Sequence, residues 1–332
     1  MRLDVLVVGA GVAGCAAAIH ARRNKLASAV VSGPSDGHDR IERLAPRVSA
    51  LLDRLGLDPA SPGLGAAVCP GIRTVDGEHD RSASSIFDPH GHGWTVRRQR
   101  LRTWLREAAI RNGVQLVVGS VRGARRAHDL WAIDVEFEGG LVELSAKYLL
   151  VATGRSGSLL RKLGARIERD GHPVLTLARR CSAPPSWWCD DPLLLVERGS
   201  SGWHYASLHG GAAEVVVTVP ASGAGSPERR WEEAAVSTQL LSKIEPLDRG
   251  ICWTQASSAL RCVPARGEGW TAIGDVCLAH RPVEGLGVAF ALESAILAVN
   301  QLAGGAALFD DWLADYAAQR QRWAEELLLV TA

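Results

Sequence analysis

Six residues restrict the fold more than any others: Gly9–Ala10–Gly11–Val12–Ala13–Gly14, set between an apolar strand pattern at 3–8 and a small-residue helix pattern at 15–23. A second apolar strand pattern, 27–32, follows, so the chain opens as a βαβ unit. Both strands are apolar without alternation, as in a parallel sheet covered on both faces. Between strand and helix, the glycines acquire separate tasks. Gly9 allows the tight turn, Gly11 lets backbone approach a pyrophosphate, and Gly14 lets helix and strand pack closely. Ala13 lies in the same turn, and the helix N-terminus is expected to face the negative charge. One part of the pattern is missing. The second strand should end in Asp or Glu to hold ribose hydroxyls, but it ends Val30–Val31–Ser32–Gly33. Ser32 is the expected substitute, with Asp36 or Asp39 as residues that could reach round.

Composition narrows the function by exclusion. With 332 residues, the chain exceeds one ordinary domain. Its 37 basic and 36 acidic side chains leave a net charge of +1, no general reason to expect nucleic acid or an anionic membrane as partner. The most apolar stretch, 5–21, is interrupted by Gly9, Gly11, Gly14 and His20 and reads as strand–turn–helix, so no membrane span is expected. The strand pattern begins within three residues of Met1, leaving no room for a cleavable signal, and a cytoplasmic location is expected. Seven scattered cysteines show neither CxxC nor Cys/His ligand spacing, so neither a metal site nor a disulfide framework is expected.

The texture changes near 165. Segments 193–198, 203–208 and 213–219 alternate polar and apolar residues as half-exposed antiparallel strands do, and a helix is expected at 227–243. A strand at 270–273, a Gly-rich segment and a long helix at 285–303 then return to the first texture. The last helix pattern, 308–329, carries Leu308, Trp312, Tyr316 and Trp323 on roughly one face. The expected fold class is α/β. A discontinuous Rossmann-like domain, 1–164 and 265–332, would hold an inserted antiparallel-sheet substrate domain, 165–264.

Two further motifs indicate which dinucleotide is bound. Ala272–Ile273–Gly274–Asp275 is followed by Pro282, then by Gly285 and Gly287 at a helix head. A strand ending in Gly–Asp places a carboxylate on ribityl or ribose hydroxyls. A GxG helix start presents N–H groups to a second phosphate or to the electron-rich end of an isoalloxazine. NAD has no ribityl chain to need this second site; FAD does. Val96–Arg97–Arg98–Gln99–Arg100–Leu101 also opens a helix, where Arg98 can hold flavin phosphate or ribityl oxygens.

These segments, together with RIERLAP at 40–46 and ATGRSGSLLRKLG at 152–164, resemble FAD-dependent monooxygenases of the aromatic-hydroxylase type. Flavin-dependent halogenases and geranylgeranyl-reductase-like proteins belong to the same group. The resemblance runs almost the whole length and implies a glutathione-reductase-like FAD domain. FAD would lie on Gly9, Gly11, Gly14, Arg98, Asp275 and Gly287, with Pro282 beside the reactive flavin edge. Gly154, Gly274 and Gly285 count with the same site. Within the group, GWHY at 202–205, LHGG at 208–211 and LRCVPARGEGWTAIGD at 260–275 look most like flavoproteins that mature tryptophan-derived quinone cofactors. Two departures weigh against halogenation. No Lys occurs between Lys25 and Lys147, and the W-x-W-x-I-P segment of tryptophan halogenases is replaced by Trp203–His204–Tyr205–Ala206–Ser207–Leu208.

The resemblance implies a monooxygenase whose reduced flavin forms a C4a-hydroperoxide with O2 and hydroxylates an electron-rich, indole-type aromatic on a small molecule or a peptide. His280 and Glu284, which flank Pro282, are the first candidates for proton transfer, followed by His204 and Tyr205. Trp203 and Trp187 are candidates to stack on the substrate ring, against the plainer alternative that they fill a core. No second GxGxxG is present, so NAD(P)H would bind transiently or a separate flavin reductase would supply reduced flavin. Ser32 in place of a carboxylate favours the second, because a loosely held flavin exchanges. The alternatives are a reductase saturating a C=C bond, a halogenase, and a flavin-binding maturation factor without turnover.

Overall fold

A computed structural model describes residues 2–33, 37–181, 184–247, 250–305 and 308–329, with side chains as far as Gln319. Asp36 and the side chain of Trp323 fall outside the described residues. Strand β1 (Arg2–Val8), helix α1 (Val12–Arg23) and strand β2 (Ser28–Ser32) form the opening βαβ unit. β1 lies between β2 and the strand Gly140–Val151, parallel to both. Gln115–Val118 continues the parallel sheet beyond β2, and Trp270–Ala272 continues it on the other side. Leu6, Val7, Val30 and Val31 are buried, which explains why these strands do not alternate. An antiparallel meander, Ser120–Ala127, Leu130–Phe137 and Gly140–Val151, leads the chain back into the sheet. α1 is built from Ala16, Ala17, Ala18 and Ala21, and this small surface lets it pack against the helix Gly287–Leu302.

A second sheet has seven strands, in the order Trp253–Ala256, Val174–Cys181, Ala212–Pro220, Gly202–His209, Leu194–Gly199, Gly71–Asp76 and His79–Ser84. It is antiparallel except where Leu194–Gly199 meets Gly71–Asp76. The strands at 71–84 come from a segment rich in Gly, Pro, Asp and His that reads in sequence as loops with short strands. One sheet face packs Leu195, Ala206, Val215 and Val217 against Trp231 and Ala234 of the helix Pro227–Val236. The other carries Val196, Tyr205, Val216 and Trp253, packed with Val283. A small sheet, Ile41–Leu44, Gly93–Arg97 and Ala67–Cys69, lies against Gly202–His209 on this second face.

The helix expected at 227–243 ends earlier, at Val236. The Ser237 and Thr238 hydroxyls turn back to the carbonyls of Ala234 and Ala235, at 2.6 and 2.5 Å. The buried Glu197 carboxylate then accepts the N–H groups of Leu240 and Leu241, at 2.9 and 3.0 Å. Hydroxyls that hydrogen-bond their own backbone end helices in this way. Among the described residues, no helix is long and apolar enough to cross a membrane, and no three His, Cys, Asp or Glu side chains gather as metal ligands.

Candidate functional site

A cleft of about 530 Å³ opens at the carboxyl ends of β1 and β2, where a doubly wound sheet binds its ligand. The three glycines of the turn act differently. Gly9 has φ +113°, and a β-carbon there would overlap the carbonyl oxygen of Ala152. A β-carbon on Gly14 would overlap the carbonyl oxygen of Gly9. The fold itself requires both. Gly11 lines the cleft, and a β-carbon on it would meet nothing within 4 Å among the described residues, so no packing contact explains its smallness. Gly11 also caps α1 without any side-chain hydrogen bond, leaving the first N–H groups of the helix to the cleft.

A second helix start converges on the same space. Gly287–Leu302 has no side-chain cap, and Gly287 and Val288 line the cleft. Asp275 Oδ1 is 3.9 Å from where a β-carbon on Gly287 would be. Gly274 has φ +66° and donates its N–H to Ser294 Oγ at 3.0 Å, while a β-carbon there would come within 2.7 Å of the Ala13 methyl. The Gly–Asp turn and the first glycine turn are thereby packed together. Ala13, Ser32, Arg98, Gly154 and Asp275 all line this cleft. Gly274 supports the wall from behind, while Pro282 and Gly285 belong to the adjoining turn. Two uncapped helix N-termini, an exposed glycine backbone and a carboxylate in one elongated cleft fit a flavin dinucleotide.

At the ribose end, Ser32 Oγ accepts a hydrogen bond from Arg106 Nη2 at 2.8 Å, and Arg106 Nε donates to the Ala10 carbonyl at 3.4 Å. Asp39 does not reach this end. It is held by Arg97 at 2.8 Å and accepts the Gln99 N–H at 3.1 Å.

At the other end of the cleft, Arg98 donates to Glu42, which also accepts from Arg40 Nε at 2.6 Å. Arg40 donates in addition to Gln255 of the second sheet and lies 5.4 Å over the Trp253 ring. Burial alone would raise the Glu42 carboxyl, but Arg40 and Arg98 beside it outweigh that and hold it at about 2. Arg40, Glu42 and Gln255 went unnoticed as site residues in the sequence, although 40 and 42 stand at a strand's period of two within RIERLAP. Glu214 was missed as well. It is fully buried on the inner sheet face, where it accepts the Ile41 N–H at 3.0 Å and pairs with Arg97 at 3.2 Å. Burial raises its carboxyl despite these partners.

Alternation sorts the candidates on Gly202–His209. Trp203 and Tyr205 point to the inner face and pack with Val283 of the Pro282–Glu284 turn. Burial raises the Tyr205 phenol. His204 points to the opposite face and does not reach the cleft. It is fully buried, its Nδ1 accepts the Thr218 N–H at 3.0 Å, and burial lowers it to about 4. A protonated His204 would set one N–H against another, so this imidazole is a neutral structural acceptor rather than a proton-transfer group. Trp187 is also placed away from the cleft. It sits 39% exposed on the helix Ser186–Asp190, 5.9 Å from the Arg73 guanidinium, in a shallow depression with Asp80 and Asp191. The structure does bring His280 and Glu284 together: His280 Nδ1 lies 3.1 Å from Glu284 Oε2. Among the described residues the buried His280 Nε2 has no hydrogen-bond partner, and its ring packs edge-on against Phe290 and Tyr316.

Comparison with known proteins agrees with this construction. Residues 4–38 match the family model described as an FAD binding domain. A menaquinone reductase of Mycobacterium tuberculosis is 28% identical over 326 residues, covering 90% of this chain and 76% of its own. Among solved structures, the flavin-dependent brominase Bmp2 superposes with a TM-score of 0.83 at 18% identity, covering 99% of this chain and 86% of its own. The peptidyl tryptophan dihydroxylase QhpG superposes with a TM-score of 0.71 at 24% identity, covering 91% of this chain and 67% of its own. At these identities, the structural likeness speaks for the fold. Motif, cleft and fold together make the chain an FAD-dependent flavoprotein of the oxidoreductase kind, with the fold that flavin-dependent hydroxylases and halogenases share.

Proposed function

We propose that the chain is a monooxygenase that hydroxylates an electron-rich aromatic substrate of the indole type, carried by a small molecule or a peptide. Trp203 and Tyr205 carry this reading: one strand face sets an aromatic wall against the Pro282–Glu284 turn, beside the cleft. FAD bound in the cleft supplies the activation of dioxygen for transfer of one oxygen atom to a ring. The chain's own residues do the rest. Gly11 and the α1 N-terminus hold the pyrophosphate, Arg98 is fixed by Glu42 for the flavin chain, and Asp275 takes its hydroxyls. Trp203, Tyr205, Trp253 and Val283 exclude water and give the substrate ring an apolar surface. Glu284, paired with His280 Nδ1 at 3.1 Å, is the less buried member of the pair and the group at which a proton is exchanged.

The test begins with the visible spectrum of the FAD-loaded protein under anaerobic conditions, with NADH and then NADPH added. Bleaching by either nucleotide means direct reduction; a flavin that stays oxidised means that a partner reductase supplies the electrons. Reduced protein is then mixed with 18O2 and indole-type substrates. Product carrying one 18O atom is expected. Failure to bind FAD, or no oxygen-labelled product from any aromatic, would overturn the proposal. The similarity to a menaquinone reductase favours one competing reading, saturation of a C=C bond. Product that gains two hydrogens and no oxygen would establish it.

A further inference from the structure

The strand Ile41–Leu44 has two faces, and the cleft uses only one. Arg40 and Glu42 line the cleft. Arg43 lies on the other face, paired across the ladder with Thr95, whose hydroxyl is 3.3 Å from His209 Nδ1 on the second sheet. Arg43 therefore enters the space between the small sheet and the inner face that carries Trp203 and Tyr205. Its Nη1 lies 3.8 Å from where a β-carbon on Gly285 would be, next to the turn whose Val283 packs against that aromatic wall.

What sets Arg43 apart is the lack of a partner. The neighbouring arginines of these two strands and their flanks all find carboxylates: Arg40 on Glu42 at 2.6 Å, Arg47 on Glu293 at 3.6 Å, Arg97 on Asp39 at 2.8 Å, and Arg98 on Glu42. Among the described residues, Arg43 has no hydrogen bond or ion pair, and its Nε is buried and unpaired. A buried guanidinium N–H without a partner is unfavourable, and an anion arriving at this half-buried group removes that penalty. A planar fork suits a carboxylate better than any neutral group.

We infer that Arg43 anchors a carboxylate on the aromatic substrate, which makes the substrate class an aromatic acid or a peptide with a carboxylate near the reacting ring. This inference rests on the proposed function and adds the charge of the substrate to it. The anchor lies on the sheet side of the strand, towards Thr95 and the face that carries Trp203 and Tyr205, and unchanged FAD affinity on its loss distinguishes a substrate anchor from a cofactor contact.

The test uses FAD-loaded protein and two probes of nearly equal shape, indole-3-acetate and indole-3-acetamide, with binding read from the perturbed flavin spectrum. Wild-type protein is expected to prefer the acetate by about 10- to 100-fold, the range for a hydrogen bond to a charged group. Arg43→Met should erase this preference while FAD affinity stays unchanged, and Arg43→Lys should keep part of it. Without ligand, Arg43→Met should melt no lower than wild type, because it removes a half-buried guanidinium whose Nε has no partner among the described residues. The inference is overturned by equal affinity for the two probes in wild type, by a preference that survives Arg43→Met, or by a loss of FAD affinity in that variant. Equal binding with oxygen-labelled product from both probes would sink the anchor and leave the monooxygenase reading standing. No binding and no labelled product from either would sink both.

Discussion

Residues 9–14 offer the cleft their backbone, whereas residues 202–209 offer the inner sheet face every second side chain. In the first segment a side chain matters only through its bulk. Gly9 and Gly14 leave no room for a β-carbon, and Gly11 leaves room that opens on the cleft. In the second, identity matters and parity assigns it: Trp203 and Tyr205 face the cleft side, His204 and Ala206 the helix side. A shift of one residue in that strand would exchange the two sets. A site held by backbone tolerates changes in its neighbours' chemistry; a site held by alternating side chains tolerates no change in register.

The sharpest way to break this contrast is to separate the three glycines. Gly9→Ala and Gly14→Ala force a β-carbon into backbone oxygen and should destabilise the apo-protein by about 3 kcal/mol or more. Gly11→Ala should leave apo-protein stability within about 1 kcal/mol, the scale of a helix-cap change, yet weaken FAD binding by about tenfold or more. Thermal melting of apo-protein and flavin titration separate the two effects. If Gly11→Ala melts as low as Gly9→Ala, the claim that Gly11 is small for the ligand is wrong.

The same contrast explains what the sequence made legible. GAGVAG and Gly274–Asp275 could be read because a backbone site needs glycines at fixed local spacing, and that spacing survives in one dimension. Glu42 lies among Arg40, Arg98 and, through Arg40, Gln255; that last link spans 215 positions. No local pattern records it. His280 and Glu284 were singled out for their proximity to Pro282, and their spacing of four lets the side chains meet. The imidazole of His204 suggests proton transfer in sequence, but the pairing of its strand with Ala212–Pro220 turns it to the opposite face, where its Nδ1 accepts the Thr218 N–H. The ring of Trp187 suggests stacking in sequence, but it sits 39% exposed on a short helix.

A pH series probes the parity argument at His204. Its folded-state value, about 4, lies below the ordinary 6.5, so the unfolded chain binds the extra proton first. The neutral ring's contribution is therefore fully present above pH 6.5 and declines as pH falls towards 4, by about 3 kcal/mol at most. Glu42, lowered to about 2 from 4.5, adds a second loss of the same sign below pH 4.5. Urea midpoints at constant ionic strength should fall across the first window in wild type and in Tyr205→Phe. The fall should become shallower there in His204→Asn, which keeps an acceptor for Thr218 and removes one titration, while His20 and His209, which burial also lowers, keep part of the slope. A slope unchanged in His204→Asn would mean that His204 does not titrate in this window.

The smallest effect is expected at Trp187, and it tests whether an aromatic near the sheet serves the site by proximity or by face. Trp187 touches Arg73 and Trp188 from an exposed position, and a cation–π contact of that kind is worth about 1 kcal/mol or less. Trp187→Leu should therefore change melting only slightly and leave both flavin binding and substrate-induced flavin perturbation as they are. Trp203→Leu, from the inner face of Gly202–His209, should also leave FAD affinity unchanged but weaken the response to aromatic ligands. If the two variants behave alike, the aromatic wall against the Pro282–Glu284 turn is not where the substrate ring sits. If only Trp203 matters, position on the sheet face, rather than the abundance of tryptophan, determines which rings the substrate meets.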